Sequence, residues 1–179
     1  MSPRKLAELS RSELRHEVTK SLLIITSFSV AILVTYFTLP FDNYDASSQS
    51  IGRLAVGITI FGFILFFMLK RITKADIPQL RAGETLVISL LIFLCFYASV
   101  YLSVSNVDAQ SFSLVLNHVS ALYFTVVTFG TVGYGDISAQ TDLARMLVSV
   151  QILIDLVFIA ALVRLVVLVS QSTLKRDDA

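Results

Sequence analysis

Read from the N-terminus, the chain alternates long uncharged runs with short charged ones. Residues 21–39 carry no charge and lie between Lys20 and Pro40. A membrane-crossing helix needs about 20 consecutive apolar residues, so this run predicts a first span. Residues 54–69, bounded by Arg53 and Lys70, predict a second. That run is slightly short, but flanking side chains can snorkel or the helix can begin a turn earlier. Residues 85–104 are uncharged and predict a third span. Residues 118–129 are apolar but too few to cross. From 142 to about 171 the pattern predicts one long helix of about 45 Å, enough to span and protrude. Ahead of all this, Leu6, Leu9, Leu14 and Val18 recur at near-helical spacing among Arg4, Lys5, Arg11 and Arg15. Residues 1–20 therefore read as a short amphipathic cytoplasmic helix. It is either a solvated collar at the membrane surface or a contact for anionic lipid.

Composition agrees. Of 179 residues, 55% are hydrophobic and only 15% charged. A soluble domain of this length carries about 25% charge. The fold class expected is all-α integral membrane. The net charge of +1 gives no reason to expect a nucleic-acid partner, because the basic residues are spent on topology. Five lie before the first span, four between the second and third, and Lys175 and Arg176 after the last, whereas Arg53 alone occupies the opposite loop. Basic residues collect in cytoplasmic loops, so both termini are expected in the cytoplasm. Cys95 has no second cysteine to pair with. The charged N-terminal segment lacks the short apolar core of a cleaved leader. No His/Cys cluster, metal-spaced carboxylates or nucleophile–base set is visible, so no enzymatic activity is expected.

The stretch with most chemical content is Thr128-Phe129-Gly130-Thr131-Val132-Gly133-Tyr134-Gly135-Asp136. Glycine tolerates backbone angles that other residues resist. A run alternating glycine with other residues can turn successive carbonyl oxygens toward one axis, and Thr131 adds a hydroxyl. On Thr128, Thr131, Gly133, Tyr134, Gly135 and Asp136 the chain resembles the tetrameric potassium channels, whose filter is TVGYG. Gly130 is a departure, since many members carry a threonine or another residue there. The resemblance covers residues 85–171, which would be the pore module: outer helix, re-entrant pore helix 118–129, filter and inner helix. Non-helical backbone at membrane depth is tolerated when buried in protein or lining water.

The resemblance implies a homotetramer that conducts K⁺ passively. Carbonyls of Thr131, Val132, Gly133 and Tyr134 would replace the ion's hydration shell, with Gly135 closing the motif. Thr128, Asp136, Tyr123 and Phe124 would support the filter, with the Tyr134 ring packed on Tyr123 and Phe124. Asp136 would concentrate cations at the outer mouth, brace the filter by a hydrogen bond, or both. Residues 21–69 would add two peripheral spans. They are too few for a four-helix voltage sensor and lack its arginine at every third position. Residues 172–179 would be a short cytoplasmic tail. The small size suggests a prokaryotic inner membrane. The alternatives are a weakly selective cation channel and a non-conducting sensor or scaffold subunit.

Asp155 stands mid-span, where a carboxylate costs about 2.5–3.5 kcal/mol to insert. Two readings are open. It borders the inner cavity, attracting K⁺ and also blocking Mg²⁺ or polyamines, or it makes a structural hydrogen bond to a neighbouring helix. Ile152, Leu156, Ile159, Val163 and Val167 share one face, which either lines the inner pore or packs on a helix.

Overall fold

The computed structural model describes residues 11–38 and 78–177. They form helices α1 (Arg11–Thr38), α2 (Pro78–Val107), α3 (His118–Phe129) and α4 (Asp142–Asp177). Among the described residues the architecture is all-α, with three helices long and apolar enough to cross a membrane: Ser12–Thr38, Gly83–Val107 and Asp142–Arg164. The span expected over 54–69, and residues 1–10, lie outside the described residues.

Three boundaries differ from the sequence reading, one of them the end of α4, which runs to Asp177 and so into the expected tail of residues 172–179. From Arg11 onward, the amphipathic segment and the first span form a single helix through residue 20. Nothing between Arg11 and Lys20 breaks a helix, because that stretch contains neither glycine nor proline. The change from charged to apolar residues there marks a change of surroundings, not of backbone. Helix α2 begins at Pro78, seven residues ahead of Thr85. Proline suits the first helical position because the N–H it lacks would have no partner there.

Helix α2 is central and packs on α1, α3 and α4. Its apolar face presents Phe93, Tyr97 and Tyr101, one ring per turn. Phe93 meets Phe158 of α4, with ring centroids 5.0 Å apart. Tyr101 meets Phe124 of α3 edge-on at 5.3 Å and Phe112 of the preceding loop at 5.6 Å. Phe112 and Phe124 close the triangle at 5.5 Å. In a bilayer there is little hydrophobic drive for helices to associate, so shape-matched contacts of this kind carry the assembly. Tyr36 ties α1 to the start of α3, its hydroxyl donating to the His118 carbonyl at 2.7 Å.

Candidate ion pathway and its supports

Helix α3 starts sharply because Asn117 caps it. The Asn117 Oδ1 accepts from the Ser120 N–H at 2.9 Å, and the Ser120 Oγ accepts from the Asn117 N–H at 2.7 Å. This reciprocal pair satisfies two of the donors that a helix N-terminus otherwise leaves open. At the other end, the Gly130 N–H still donates to the Val126 carbonyl at 2.8 Å. Gly130 is in right-handed helical conformation, φ −69°, ψ −2°. Its conformation does not require glycine, and a Cβ there would stand 3.2 Å from the Val126 carbonyl oxygen, a tight contact that a shift of a few tenths of an ångström relieves.

The chain then leaves the helix one peptide at a time. The Thr131 N–H donates to Thr128 O at 3.0 Å and the Val132 N–H to Val127 O at 3.1 Å. Beyond this point φ is positive at Thr131 (55°), Gly133 (57°) and Gly135 (80°), and at neither Val132 nor Tyr134. For Thr131, a β-branched residue, this is a sparsely populated conformation that costs about 1–3 kcal/mol, and such strain gathers at functional sites. Residues 131–136 are exposed in the single chain, Tyr134 to 70%.

The outer end of the segment is anchored. The Tyr123 hydroxyl donates to Asp136 Oδ2 at 2.8 Å, and the Ile137 N–H donates to Asp136 Oδ1 at 3.0 Å. The bond to Asp136 pushes the Tyr123 phenol above its ordinary pKa. The exit, residues 136–140, is stitched to the loop before α3. The Ser113 N–H donates to Ser138 O at 2.9 Å, the Ser138 N–H to Ser113 Oγ at 3.0 Å, and the Gln140 N–H to Ser111 O at 2.8 Å. Tyr123 and Asp136 thus come together, and the Thr128 carbonyl accepts the turn that leads out of the helix.

Phe124 does not meet the expectation. Its ring turns into the core against Tyr101 and Phe112, and so cannot form a platform for Tyr134. Phe124 is one position on from Tyr123, about 100° around the helix, so the two cannot serve the same side.

Asp155 bears on a larger expectation. It is 2% exposed within the single chain, and its Oδ2 accepts from Gln151 Nε2 at 3.3 Å. A side chain lining an axial cavity would stand open in one isolated subunit. Asp155 faces the chain's own interior instead, which favours the structural hydrogen bond over a place on an inner cavity where it would attract Mg²⁺ or polyamines.

Gln151, fully buried, is the residue that sequence reasoning missed. The Tyr101 hydroxyl donates to its Oε1 at 2.6 Å, and its Nε2 donates to the Thr125 carbonyl at 3.3 Å as well as to Asp155. The available signal was its spacing: two polar residues four apart lie on one helix face.

Three faces of α4 are now distinct. Ala144, Gln151 and Asp155 face inward, with Val148 and Phe158 beside them. Ile152, Leu156, Val163 and Val167 are exposed and Ile159 partly so. Leu143, Met146, Val150, Leu153 and Val157 form a second exposed apolar stripe. At 3.6 residues per turn the three faces lie roughly a third of a turn apart.

Residues 86–171 match the model of a family described as "Ion channel". The matched region covers α3, the positive-φ segment and α2 from residue 86 onward, and runs into α4 as far as residue 171. The chain is also 24% identical over 163 residues to potassium channel AKT2/3 of Arabidopsis thaliana, a match covering 75% of this chain and 20% of that protein. The chain thus matches about a fifth of that relative's length. No solved structure matches the chain significantly. The chain is thus similar in this region to ion channels, a plant potassium channel among them.

Proposed function

We propose that four copies of this chain form a potassium-selective channel. The observation that carries this reading is the alternation of φ sign along Thr131–Gly135 beneath the TVGYG sequence. When every second residue is left-handed, successive peptide planes no longer point to opposite sides, and their oxygens can line one path. Carbonyls of Thr131, Val132, Gly133 and Tyr134, with the Thr131 hydroxyl, replace the hydration shell of K⁺. No bond is made or broken, and the ion moves down its gradient.

Fourfold assembly is what such a segment needs, because one strand cannot surround an ion. Its exposure in the single chain, and the two exposed apolar faces of α4, fit contact with the axis and with neighbouring subunits. We take the face of Ile152, Leu156, Ile159 and Val163 to line the inner pore. Asp136 braces the outer mouth through Tyr123 and adds negative charge there. Both termini are cytoplasmic and the filter opens outward, by the distribution of basic residues. α1 stands beside the pore module and is not a voltage sensor; opening is not driven by a standard one.

The test is electrical. Current through purified protein in planar bilayers, with a K⁺ gradient balanced by Na⁺ on the low-K⁺ side, should reverse near the K⁺ equilibrium potential. Reversal near zero would reject selectivity, and absence of current from assembled tetramers would reject conduction.

A further inference from the structure

The polar cluster behind α3 lies away from the ion path and is not used by the proposed conduction mechanism. It joins all three helices of the pore module. Tyr101 comes from α2, Thr125 from α3, and Gln151 and Asp155 from α4. All four side chains are buried: Tyr101, Thr125 and Gln151 fully, and Asp155 to within 2%.

Its hydrogen bonds fix the orientation of the central amide. A phenol hydroxyl donates best to the amide oxygen. A carboxylate and a backbone carbonyl can only accept, so both must face the amide nitrogen. Turning the amide over would set its oxygen against two acceptors. Tyr101 and Asp155 therefore hold Gln151 in the one orientation that delivers an N–H to the Thr125 carbonyl. The Thr125 hydroxyl is occupied elsewhere, donating to Ala121 O at 2.9 Å. Thr125 stands three residues before Thr128 and six before Thr131. Between them run the peptides that wind the chain out of the helix.

We propose that Gln151 is a positioning residue for ion selectivity: it fixes α3 against α4, and through α3 the spacing of the Thr131–Tyr134 oxygens. The proposal rests on the reading of that segment as a potassium filter. Gln151 touches no ion. It acts through the placement of α3, with Tyr101 and Asp155 orienting its amide. Discrimination between ions of similar charge depends on oxygen positions held to fractions of an ångström, so a shift of α3 alters selectivity before it abolishes assembly.

The experiment compares Gln151→Met, Tyr101→Phe, Asp155→Leu and Asp155→Asn with wild type, at matched amounts of tetramer, by reversal potential in mixed K⁺ and Na⁺. Methionine keeps the volume of Gln151 and removes every hydrogen bond. Phenylalanine removes only the phenol hydroxyl, so it carries the test should Gln151→Met fail to assemble. The K⁺/Na⁺ permeability ratio should fall about three- to tenfold in Gln151→Met, the factor that one hydrogen bond's net worth corresponds to. Tyr101→Phe and Asp155→Leu should fall in the same direction. Asp155→Asn, which still offers an oxygen to Gln151, should stay near wild type. Adding Tyr101→Phe to Gln151→Met should cause no further loss, because both act through one amide. Wild-type ratios in assembled Gln151→Met or in Tyr101→Phe would overturn the proposal while leaving the filter reading intact. A wild type that fails to separate K⁺ from Na⁺ would overturn the filter reading and the proposal with it.

Discussion

Replacing Gly133 by alanine isolates the backbone contribution of the ion path. The residue sits at φ 57°, and a Cβ added to it would meet nothing within 4 Å in the single chain. The penalty is therefore conformational, not steric crowding. Holding an L-residue in the left-handed region costs roughly 1–2 kcal/mol. That shifts each subunit about tenfold toward a negative-φ arrangement, since 1.4 kcal/mol is a factor of ten. In a tetramer four copies must all keep the left-handed form, so independent penalties multiply to about ten-thousandfold. Potassium flux in proteoliposomes should fall to background, although each chain still folds and inserts.

Gly130→Ala is the matched control. Its φ of −69° suits any residue, and the added Cβ would only need the Val126 carbonyl to give by a few tenths of an ångström from 3.2 Å. Flux should drop no more than a few-fold, and tetramer melting should move little. Flux lost equally in both variants would mean that these glycines matter for the room they leave, not for the sign of φ, and would refute the reasoning.

Three further outcomes follow from the same geometry. Tyr123→Phe removes the hydroxyl that holds Asp136, so current should decline faster during sustained opening while tetramer yield stays constant. Because the Tyr123 pKa is raised, this bond is fully present below the free phenol's value of about 10 and is lost only as pH climbs through the raised one. Recordings between pH 6 and about 9 should therefore show no loss of current from this pair, and a loss in that range absent from Tyr123→Phe would count against the assignment. Phe124→Ala empties the centre of the Tyr101–Phe112–Phe124 triangle and should destabilise the folded protein by about 3–5 kcal/mol in detergent unfolding, with Phe124→Leu costing clearly less. Cysteines at Leu156 or Val163 should react with a charged thiol reagent from the cytoplasmic side and block current, whereas at Leu153 or Val157 they should not, provided Cys95 is first replaced.

The helices were largely legible because a bilayer writes its thickness into the sequence. The uncharged runs located α1 and α2, the long mainly apolar stretch after residue 142 located α4, and α3 covers the short apolar stretch that had to stop before the glycines. The helix ends were less legible. Charge marks where a segment leaves the apolar layer, and α1 and α2 both continue past that point. The turn chemistry around Thr131–Gly135 was readable because glycine at alternate positions has few other uses. The direction of Asp155 was not. Gln151 marks the same helix face, but nothing in the sequence says whether that face turns to the chain's own interior or to an open cavity. Phe124 failed similarly, since adjacent aromatics leave open which of the two meets the core.

The buried pair on α4 has a structural purpose. Two outward faces of this helix are apolar and similar in bulk, one bearing Ile152, Leu156 and Val163, the other Leu143, Leu153 and Val157. Hydrophobicity alone would let α4 turn by a third of its circumference at little cost, exchanging the residues that face the axis for those that face a neighbour. Such a turn would carry Asp155 out of its contact with Gln151 and toward lipid or a subunit boundary. Exposing a carboxylate at that depth costs about 2.5–3.5 kcal/mol. The hydrogen bonds from Tyr101 to Gln151 and from Gln151 to Thr125 would be lost with it, each worth about 0.5–1.5 kcal/mol. One rotation of α4 is then favoured over the others by several kcal/mol, although most of the side chains on the helix are nearly indifferent. In the proposed tetramer Asp155 thus acts from behind: it fixes which apolar residues reach the axis.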